Sequence, residues 1–369
     1  MTEIQNKLDR IDALLQSKGL DALLLQRVSS FAWATCGAAS YINTASSNGV
    51  AQLLITRSGQ HLITRMRAIS NNIEAPRLQQ EENLIRSGWE LHTTPWYAGD
   101  DLVKRLVGGL KLGADSPYPG AVDLSSEIAH LRADLTPEEG DRFRELGKLC
   151  ASTMDEAIRA VQPGMTEYQI AALQAQEGER RGVQVIVNLV ASDERIFKFR
   201  HPLPTSRPVE HYAMLVLCGR RAGLVCSITR LVYFGRLPME IRRKAQATAQ
   251  VDAEMIWSTQ PGNSLAEVFS RAQKVYAQTG FDGEWQLHHQ GGPAGYEPRE
   301  YLATPASTEI IKAGQAYAWN PSITGVKSED TILVGVDGNE ILTAILGWPT
   351  ISVEVENQTV LRPDILEIS

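Results

Sequence analysis

Residues 157–182, AIRAVQPGMTEYQIAALQAQEGERRG, return in altered form as residues 255–280, MIWSTQPGNSLAEVFSRAQKVYAQTG. Each segment has an apolar helix end, then Gln-Pro-Gly, then a Thr or Ser that suits a helix N-cap, and each closes on a glycine. The offset between the copies is constant along the whole segment. We interpret the pair as a duplicated helix–helix unit, and the fold class follows from this duplication.

Strand patterns follow each copy. The first is followed by VQVIVNLVAS and by the pair AMLVLCGRRAGLVCSITRLVYFG, the second by EWQLHHQ and by AYAWNPSITGVKSEDTILVGVDG. The period is too long for a solenoid. We therefore predict an α+β domain of two helix–helix–sheet halves related by a pseudo-two-fold. Equivalent strands of the halves would face one shared cleft, a natural place for a binding site.

A new domain starts at the stretch LTPEE, residues 135–139. Thr136 suits an N-cap, Pro137 suits the first helical position, and Glu139 completes a capping box. Upstream, helix and strand patterns alternate as in a small α/β domain. We place the domains at residues 1–134 and 135–369.

Composition excludes several classes of partner. The 369 residues carry a net charge of −7 spread without runs, which argues against nucleic acid or an anionic membrane surface. No stretch approaches a membrane span, and the N-terminal helix pattern lacks the apolar core of a signal peptide. The four cysteines have no CxxC pairing. We expect a cytoplasmic protein that acts on a small molecule and needs no cofactor.

The second domain resembles the pita-bread fold of creatinase, prolidase, aminopeptidase P and methionine aminopeptidase, and the first resembles the N-terminal creatinase/prolidase domain. The resemblance covers nearly the whole chain. Its most specific pieces are LTPEE with QPGMTEY, VAS with RHP, SITR before FGRLP, the glycine-rich 288–300 segment HHQGGPAGYEPRE, and SEDTILV. It implies homodimers in which the N-terminal domain of one subunit closes the cleft of the other.

Most peptidases of this family hold two metal ions with two aspartates, one histidine and two glutamates. The resemblance puts the following residues of this chain at those positions: Leu217 or a neighbour, Ser227, Gly292, Asn320 and Glu329. Four of the five ligands are thus replaced. Glu329 by itself cannot hold two hard cations, which want several oxygen ligands each. We predict a cleft that holds no metal.

The resemblance implies roles for three other residues. His201, in KFRHP, matches the family histidine beside the scissile bond, and His288 matches a second histidine that flanks the substrate. Arg299 stands where creatinase has a substrate-binding arginine. Creatinase is the family's precedent for hydrolysis without metal, with a histidine as general acid/base. Its two guanidinium-gripping glutamates are absent here, so we expect no activity on creatine.

The side-chain chemistry of these residues is consistent with the roles that the resemblance implies. Imidazoles such as His201 exchange protons near neutral pH. We assign His201, His288 and Glu329 to catalysis. We assign the following residues to substrate binding: Arg299, Asn320, His289, Arg230, Ser227 and Tyr296. Arg299 suits a carboxylate, or else a salt bridge to Glu297 or Glu300. For the buried Glu329 we expect Arg230 as partner.

The side chains of His288 and His289 should point to opposite faces of a predicted strand, with only His288 in the cleft. On that geometry the two histidines would not share a zinc ion.

Three functions remain open. The first is a metal-independent hydrolase that cleaves a C–N bond of a small polar substrate with a carboxylate. The second is a Xaa-Pro aminopeptidase or dipeptidase that uses metal through other ligands, such as His201, His288 and Glu329. The third is a non-catalytic binding protein, or a lyase on the same fold.

Overall fold

The structure is a computed structural model that describes residues 2–57, 63–82, 84–98 and 101–369. The chain forms two compact units. One comprises Met1–Thr136 with Ala222–Leu224, and the other comprises Pro137–Arg221 with Val225–Ser369. Within the described ranges, no helix has both the length and the apolar character that a membrane crossing requires.

The first unit is a six-stranded mixed sheet with helices. Its elements are α1 Glu3–Lys18, β1 Ala22–Arg27, α2 Val28–Ala34, β2 Asn48–Arg57, β3 Ile63–Asn71, α3 Ala75–Gln80, β4 Glu90–Thr94, α4 Asp101–Val107, β5 Leu112–Ala114, β6 Val122–Asp123 and α5 Ser125–Ala133. The strand order is β4-β3-β2-β1-β5-β6. Helix α1 begins where Thr2 accepts a hydrogen bond from the Gln5 N–H and ends at Gly19, whose φ of 64° favours glycine.

The second unit contains the duplicated halves. Its helices are α6 Pro137–Arg159, α7 Glu167–Glu179, α8 Glu194–Lys198, α9 Met239–Ser258 and α10 Leu265–Gln278. Helices α7 and α10 begin with the same capping box, Thr166 with Gln169 and Ser264 with Glu267. The repeated sequence therefore produces repeated local structure.

The strands of the second unit form two four-stranded sheets and two small pairs. They are β7 Gln184–Ser192, β8 Tyr212–Arg221, β9 Leu224–Phe234, β10 Gly291–Ala294, β11 Ala316–Trp319, β12 Ser322–Ile323, β13 Val326–Lys327, β14 Asp330–Val334, β15 Asn339–Ile341, β16 Thr350–Val355, β17 Gln358–Pro363 and β18 Leu366–Ile368. The sheet orders are β18-β9-β8-β7 and β10-β11-β14-β15.

A bridge between the halves joins these sheets. Thr229 of β9 pairs with Glu329, which immediately precedes β14, and the Thr229 N–H donates to the Glu329 carbonyl at 3.1 Å. Nearby, the Ser227 N–H donates to Thr331 Oγ1 at 2.9 Å. Strand β9 of one half therefore meets β14 of the other where the sequence predicts a shared cleft.

The glycine pair that begins β10 is needed for this packing. Gly291 has φ 113°, and a Cβ on it would lie 2.2 Å from the Ala318 carbonyl oxygen of β11. A Cβ on Gly292 would lie 2.3 Å from the Tyr301 carbonyl oxygen. These glycines permit the close backbone approach.

The predicted strand EWQLHHQ is wrong. Residues Glu284–Leu287 form a 3-10 helix, and the strand of this half begins only at Gly291. Alternation of apolar and polar residues over so few positions does not separate a strand from a helical turn. This error matters because His288 and His289 follow the 3-10 helix directly.

Candidate active site

Two histidines from the two halves of the second unit form the centre of the site. His201 follows α8 and is exposed, whereas His288 follows the 3-10 helix and is buried. Their Nε2 atoms lie 2.9 Å apart, so one ring donates its N–H to the bare nitrogen of the other. The structure thus brings together the two histidines that the sequence assigned to catalysis.

His289 joins this pair, contrary to the predicted opposite-face geometry. Its ring stacks on that of His288 with centroids 4.4 Å apart, and its centroid lies 5.7 Å from that of His201. The prediction assumed a strand, where neighbouring side chains diverge. Because the backbone here is irregular, both imidazoles lie on the same side.

The surroundings lower the pKa of all three imidazoles. Burial and the charge of Lys327 lower the pKa of His288 to about 2, and burial and Arg299 lower that of His289 to about 4. Partial burial and Lys327 also hold the pKa of His201 below 6.5. The rings are therefore neutral at pH 7, and each has one N–H donor and one bare nitrogen.

Glu329 is buried beside two cations and a hydroxyl. Arg299 Nη2 contacts Oε1 at 3.0 Å, Lys327 Nζ contacts Oε2 at 3.0 Å, and Thr229 Oγ1 donates to Oε2 at 2.5 Å. Burial by itself would raise the pKa of Glu329, but these partners lower it to about 2. The carboxylate is therefore ionised at neutral pH.

Arg299 connects Glu329 to a second predicted residue. Its Nη1 donates to Ser227 Oγ at 3.1 Å while its Nη2 binds Glu329. The expected alternative partners of Arg299, Glu297 and Glu300, are not the ones it takes. The guanidinium therefore lies between two positions at which the family resemblance expects metal-binding carboxylates.

Lys327 and Thr229 were missed by the sequence analysis. A signal was available for Lys327, because it stands two residues before Glu329 and extended chain puts such residues on one face. Thr229 likewise stands two residues after Ser227 on β9. Burying a lysine is costly without a partner, and Glu329 supplies one for Lys327, whose residue is 7% exposed.

Asn320 lies beside the histidines at the end of β11. Its N–H donates to the Gln290 carbonyl at 3.0 Å, directly after His289 in the chain. Gln290 in turn donates from Nε2 to the His288 carbonyl at 2.7 Å and accepts from the Tyr276 hydroxyl at 2.9 Å. Gln290, which sequence reasoning also missed, therefore fixes the backbone that carries the two histidines.

Several buried polar atoms in this region have no hydrogen-bond partner. They are His288 Nδ1, His289 Nδ1, Arg299 Nε, Asn320 Oδ1 and Ser322 Oγ. Buried polar groups are normally satisfied, so each exception needs a reason. A bound ligand or water that supplies the missing partners is the physical reason this arrangement supports.

Two predicted residues are held elsewhere by their side chains. Arg230 donates to Asp330 Oδ1 at 2.8 Å and contacts only the backbone carbonyl of Glu329. The expectation that Arg230 pairs with the Glu329 carboxylate is therefore wrong. The Tyr296 hydroxyl donates to Glu139 Oε1 at 2.6 Å. Both side chains are buried, and these contacts account for their position without substrate.

A pair of metal ions does not fit the ligand positions that the resemblance gave. Leu217, Ser227, Gly292 and Asn320 offer no anionic ligand, and the remaining carboxylate, Glu329, already binds Arg299 and Lys327. A different set could hold one ion, because His201, His288 and His289 each offer a nitrogen within 4.8 Å of the others. The neighbouring ammonium and guanidinium groups oppose a cation at that set.

Known proteins resemble this chain in sequence and in fold. An uncharacterized peptidase of Staphylococcus aureus (strain MW2) is 23% identical over 253 residues, which cover 65% of this chain and 69% of that protein.

A Xaa-Pro dipeptidase from Bacillus anthracis superposes with a TM-score of 0.78 at 18% identity, covering 99% of this chain and 100% of the other. The prolidase from Pyrococcus horikoshii OT3 gives 0.77 at 18% identity, covering 92% and 98%. These likenesses agree with the predicted pita-bread fold with its smaller N-terminal domain.

The sequence profile of the metallopeptidase family M24 matches residues 141–336, more than half of the chain. That segment contains every residue of the site described above. The chain therefore belongs to metallopeptidase family M24, the pita-bread hydrolases of the creatinase, prolidase and aminopeptidase P type.

Proposed function

We propose that this chain is a metal-independent hydrolase that cleaves a C–N bond in a small substrate with a carboxylate group. The observation that carries the proposal is the position of Arg299. Its guanidinium joins Ser227 to Glu329 and so places a fixed positive charge where the family resemblance expects metal ligands. The Arg299 guanidinium thereby supplies positive charge without a bound metal ion.

The charge balance favours an anionic substrate. The charged groups that act on the three histidines are Lys327, Arg299 and Glu329, two cations against one anion. Arg299 Nε is buried and has no partner, so it can donate to a substrate carboxylate. Asn320 Oδ1, also without a partner, can accept an N–H from the same molecule.

The imidazole pair supplies acid/base chemistry. His201 is the exposed member and is neutral at pH 7, so it can take a proton from water as the water oxygen bonds to the substrate carbon. The proton then passes to the leaving nitrogen as the C–N bond breaks. His288 holds the His201 ring through the 2.9 Å contact. Glu329 orients Arg299 and Lys327.

A substrate screen with metal analysis tests the proposal. The panel comprises dipeptides, N-acyl amino acids, amidines and related carboxylates, with melting temperature and product mass as readouts. We expect turnover that survives a chelator and falls roughly 10²–10⁴-fold in His201→Ala, the usual range for a lost general base. The exposed His211 serves as the matched control, and His211→Ala should retain activity. Unchanged turnover in His201→Ala would refute the assignment.

A second candidate, a peptidase with one metal ion on His201, His288 and His289, is favoured by their mutual proximity. Imidazole nitrogens suit Zn²⁺ and neighbouring transition metals. Stoichiometric metal in the purified protein, lost together with activity on chelation, would establish this candidate and replace the first. Stabilisation by a panel compound without any product would instead indicate a binding protein.

The proposal also includes a cytoplasmic homodimer with no nucleic-acid or membrane partner. It rests on the family resemblance and on the dispersed charge of the sequence. Light scattering coupled to size exclusion would measure the mass. A monomer with full activity would remove the dimer from the proposal.

A further inference from the structure

The carboxylate of Glu329 is fully engaged by protein groups. Its Oε1 binds Arg299 at 3.0 Å, and its Oε2 binds Lys327 at 3.0 Å and accepts from the Thr229 hydroxyl at 2.5 Å. Two cations therefore share one anion in a buried place. A positively charged group on a substrate would meet like charge here and would gain no ion pair from Glu329.

A second carboxylate near the histidines is also occupied. Glu284 begins the 3-10 helix that precedes His288, and its Oε2 binds Nη2 of Arg200, the residue before His201, at 2.5 Å. The same oxygen accepts from the Thr324 N–H at 2.9 Å. Glu284 is therefore engaged in the same way as Glu329, and it too offers little to a substrate ammonium group.

Two buried atoms without partners match a carboxylate and an amide. Arg299 Nε is an N–H donor, and Asn320 Oδ1 is an acceptor. A substrate carboxylate would satisfy the guanidinium, and the N–H of a secondary amide would satisfy Asn320. A bond before proline has no N–H and would leave the Asn320 oxygen unsatisfied. The pair therefore favours a secondary amide next to a carboxylate.

Apolar side chains flank the histidine pair. Phe199 lies two residues before His201 in the chain, lines a small cavity together with His288, and is 48% exposed. Leu287 directly precedes His288 and is 59% exposed. Exposed apolar surface beside reacting groups favours an uncharged substituent, because covering it removes that surface from water.

We propose that the substrate is an N-acyl amino acid, with a free carboxylate, a secondary amide and an uncharged acyl group near Phe199. This inference deepens the proposed function and rests on it. The water oxygen bonds to the acyl carbon, the C–N bond breaks with its electron pair going to nitrogen, and the proton of the water goes to that nitrogen as well. The products are a carboxylate and a free amino acid, whose new ammonium group the site repels.

An isosteric pair of compounds tests the charge argument. N-propionylleucine has a methyl group where glycylleucine has an ammonium group. Calorimetric titration into full-length His201→Ala measures binding without turnover, and KM in the wild type gives a second measure. At a pH of about 6.5 we expect glycylleucine to bind at least about tenfold more weakly. The gap should narrow toward a pH of about 9, because an α-amino group loses its proton near a pH of about 8. N-propionylleucine controls for titration of the protein.

A third compound and a charge variant extend the test. N-propionylproline, which lacks the amide N–H, should bind about tenfold more weakly than N-propionylleucine. Lys327→Gln, which leaves Arg299 as the one cation bound to Glu329, should narrow the gap between glycylleucine and N-propionylleucine. Lys274 is an exposed lysine on α10, so Lys274→Gln is the matched control and should leave the gap unchanged.

The acyl position has its own variant. Phe199→Ala should raise the KM of N-octanoylleucine by about tenfold and that of N-propionylleucine by less, because the longer chain covers more apolar surface. Leu361 on β17 is similarly exposed, at 52%, but lines a different cleft with Trp257 and Val336. Leu361→Ala is therefore the control and should leave both KM values unchanged.

Equal binding of the isosteric pair, tighter binding of N-propionylproline, or no binding of any N-acyl amino acid would each overturn the inference. If a different carboxylate, such as an amidino acid, is hydrolysed without metal and N-acyl amino acids are not, the inference fails and the proposed function stands. If N-acyl amino acids bind with the expected preferences and none is hydrolysed, the ligand class stands and the proposed function fails.

Discussion

Two carboxylates that are neighbours in the chain, Glu329 and Asp330, lie in opposite electrostatic settings. Asp330 binds Arg230 at 2.8 Å and Arg362 at 2.5 Å, and Arg362 also binds Asp252 at 2.7 Å. The formal charges of those four groups cancel. Around Glu329 the formal charges do not cancel, because two cations, Arg299 and Lys327, bind this single carboxylate.

The difference separates a structural network from a functional one. Both sets are buried, so attraction between their ions must offset the cost of removing those ions from water. In the neutral set around Asp330 each charge is balanced by another protein group, and no further ion is needed. The set around Glu329 retains excess positive charge and unsatisfied donors at the base of a cleft, and a bound carboxylate would complete it. Predictions that break one set and not the other test this distinction.

The largest effect is expected from Asp330→Asn. The change leaves Arg230 and Arg362 with one carboxylate, Asp252, between them, in a fully buried place. We expect a loss of about 3–5 kcal/mol in the free energy of unfolding, measured by denaturant titration. The exposed neighbour Glu340, paired with Arg144, is the control, and Glu340→Gln should cost under about 1 kcal/mol. Equal losses in the two variants would contradict the network's role.

A smaller loss, about 2–3 kcal/mol, is expected from Glu329→Gln, because an anion from solution can enter the cleft and replace the carboxylate. Acetate should therefore raise the melting temperature of Glu329→Gln and leave that of Asp330→Asn unchanged. The measurement is thermal unfolding across acetate concentrations at fixed ionic strength. Rescue of both variants, or of neither, would remove the contrast between the two sites.

The pH dependence of stability should follow Glu329 in the acid range. Its folded pKa of about 2 lies below its ordinary value of 4.5, so its contribution is full above pH 4.5 and is lost as the pH falls toward 2. Unfolding free energies measured across this window should fall less steeply in Glu329→Gln than in the wild type. Parallel curves would show that the carboxylate is not held in its charged form.

Arg299→Lys should affect binding more than stability. A lysine keeps the positive charge, but its single ammonium cannot bridge Ser227 and Glu329 while donating to a substrate carboxylate. We expect KM for a carboxylate substrate to rise by about tenfold, with stability within about 1 kcal/mol of the wild type. Steady-state kinetics against substrate amides provides the control, since compounds without the carboxylate should lose little.

The smallest effect on catalysis is expected from Tyr296→Phe. The hydroxyl binds Glu139 at 2.6 Å, so its removal should cost about 1–2 kcal/mol of stability and leave kcat and KM unchanged. Chemical denaturation and kinetics on the same preparation measure both. A large kinetic effect with little loss of stability would return Tyr296 to the substrate-binding residues, where the sequence analysis placed it.

The architecture and several site residues can be predicted from the amino-acid sequence. The repeated helix starts depend on local sequence, because a capping box needs only an N-cap residue and its partner three residues later. Spacing and family resemblance likewise located His201, His288, Arg299 and Glu329. The sequence also shows, without any structure, that four of the expected ligand positions have no acidic residue.

Which side chains contact one another depends on how the strands and helices pack. The stacking of His288 with His289 depends on a 3-10 helix that short-range alternation did not reveal. The choice of Arg299 and Lys327 over Arg230 as partners of Glu329 depends on which face of each strand turns to the cleft. Local propensity favours helices and their caps, but an ion pair between residues 100 positions apart, Arg230 and Asp330, forms only when strands from the two halves pack together.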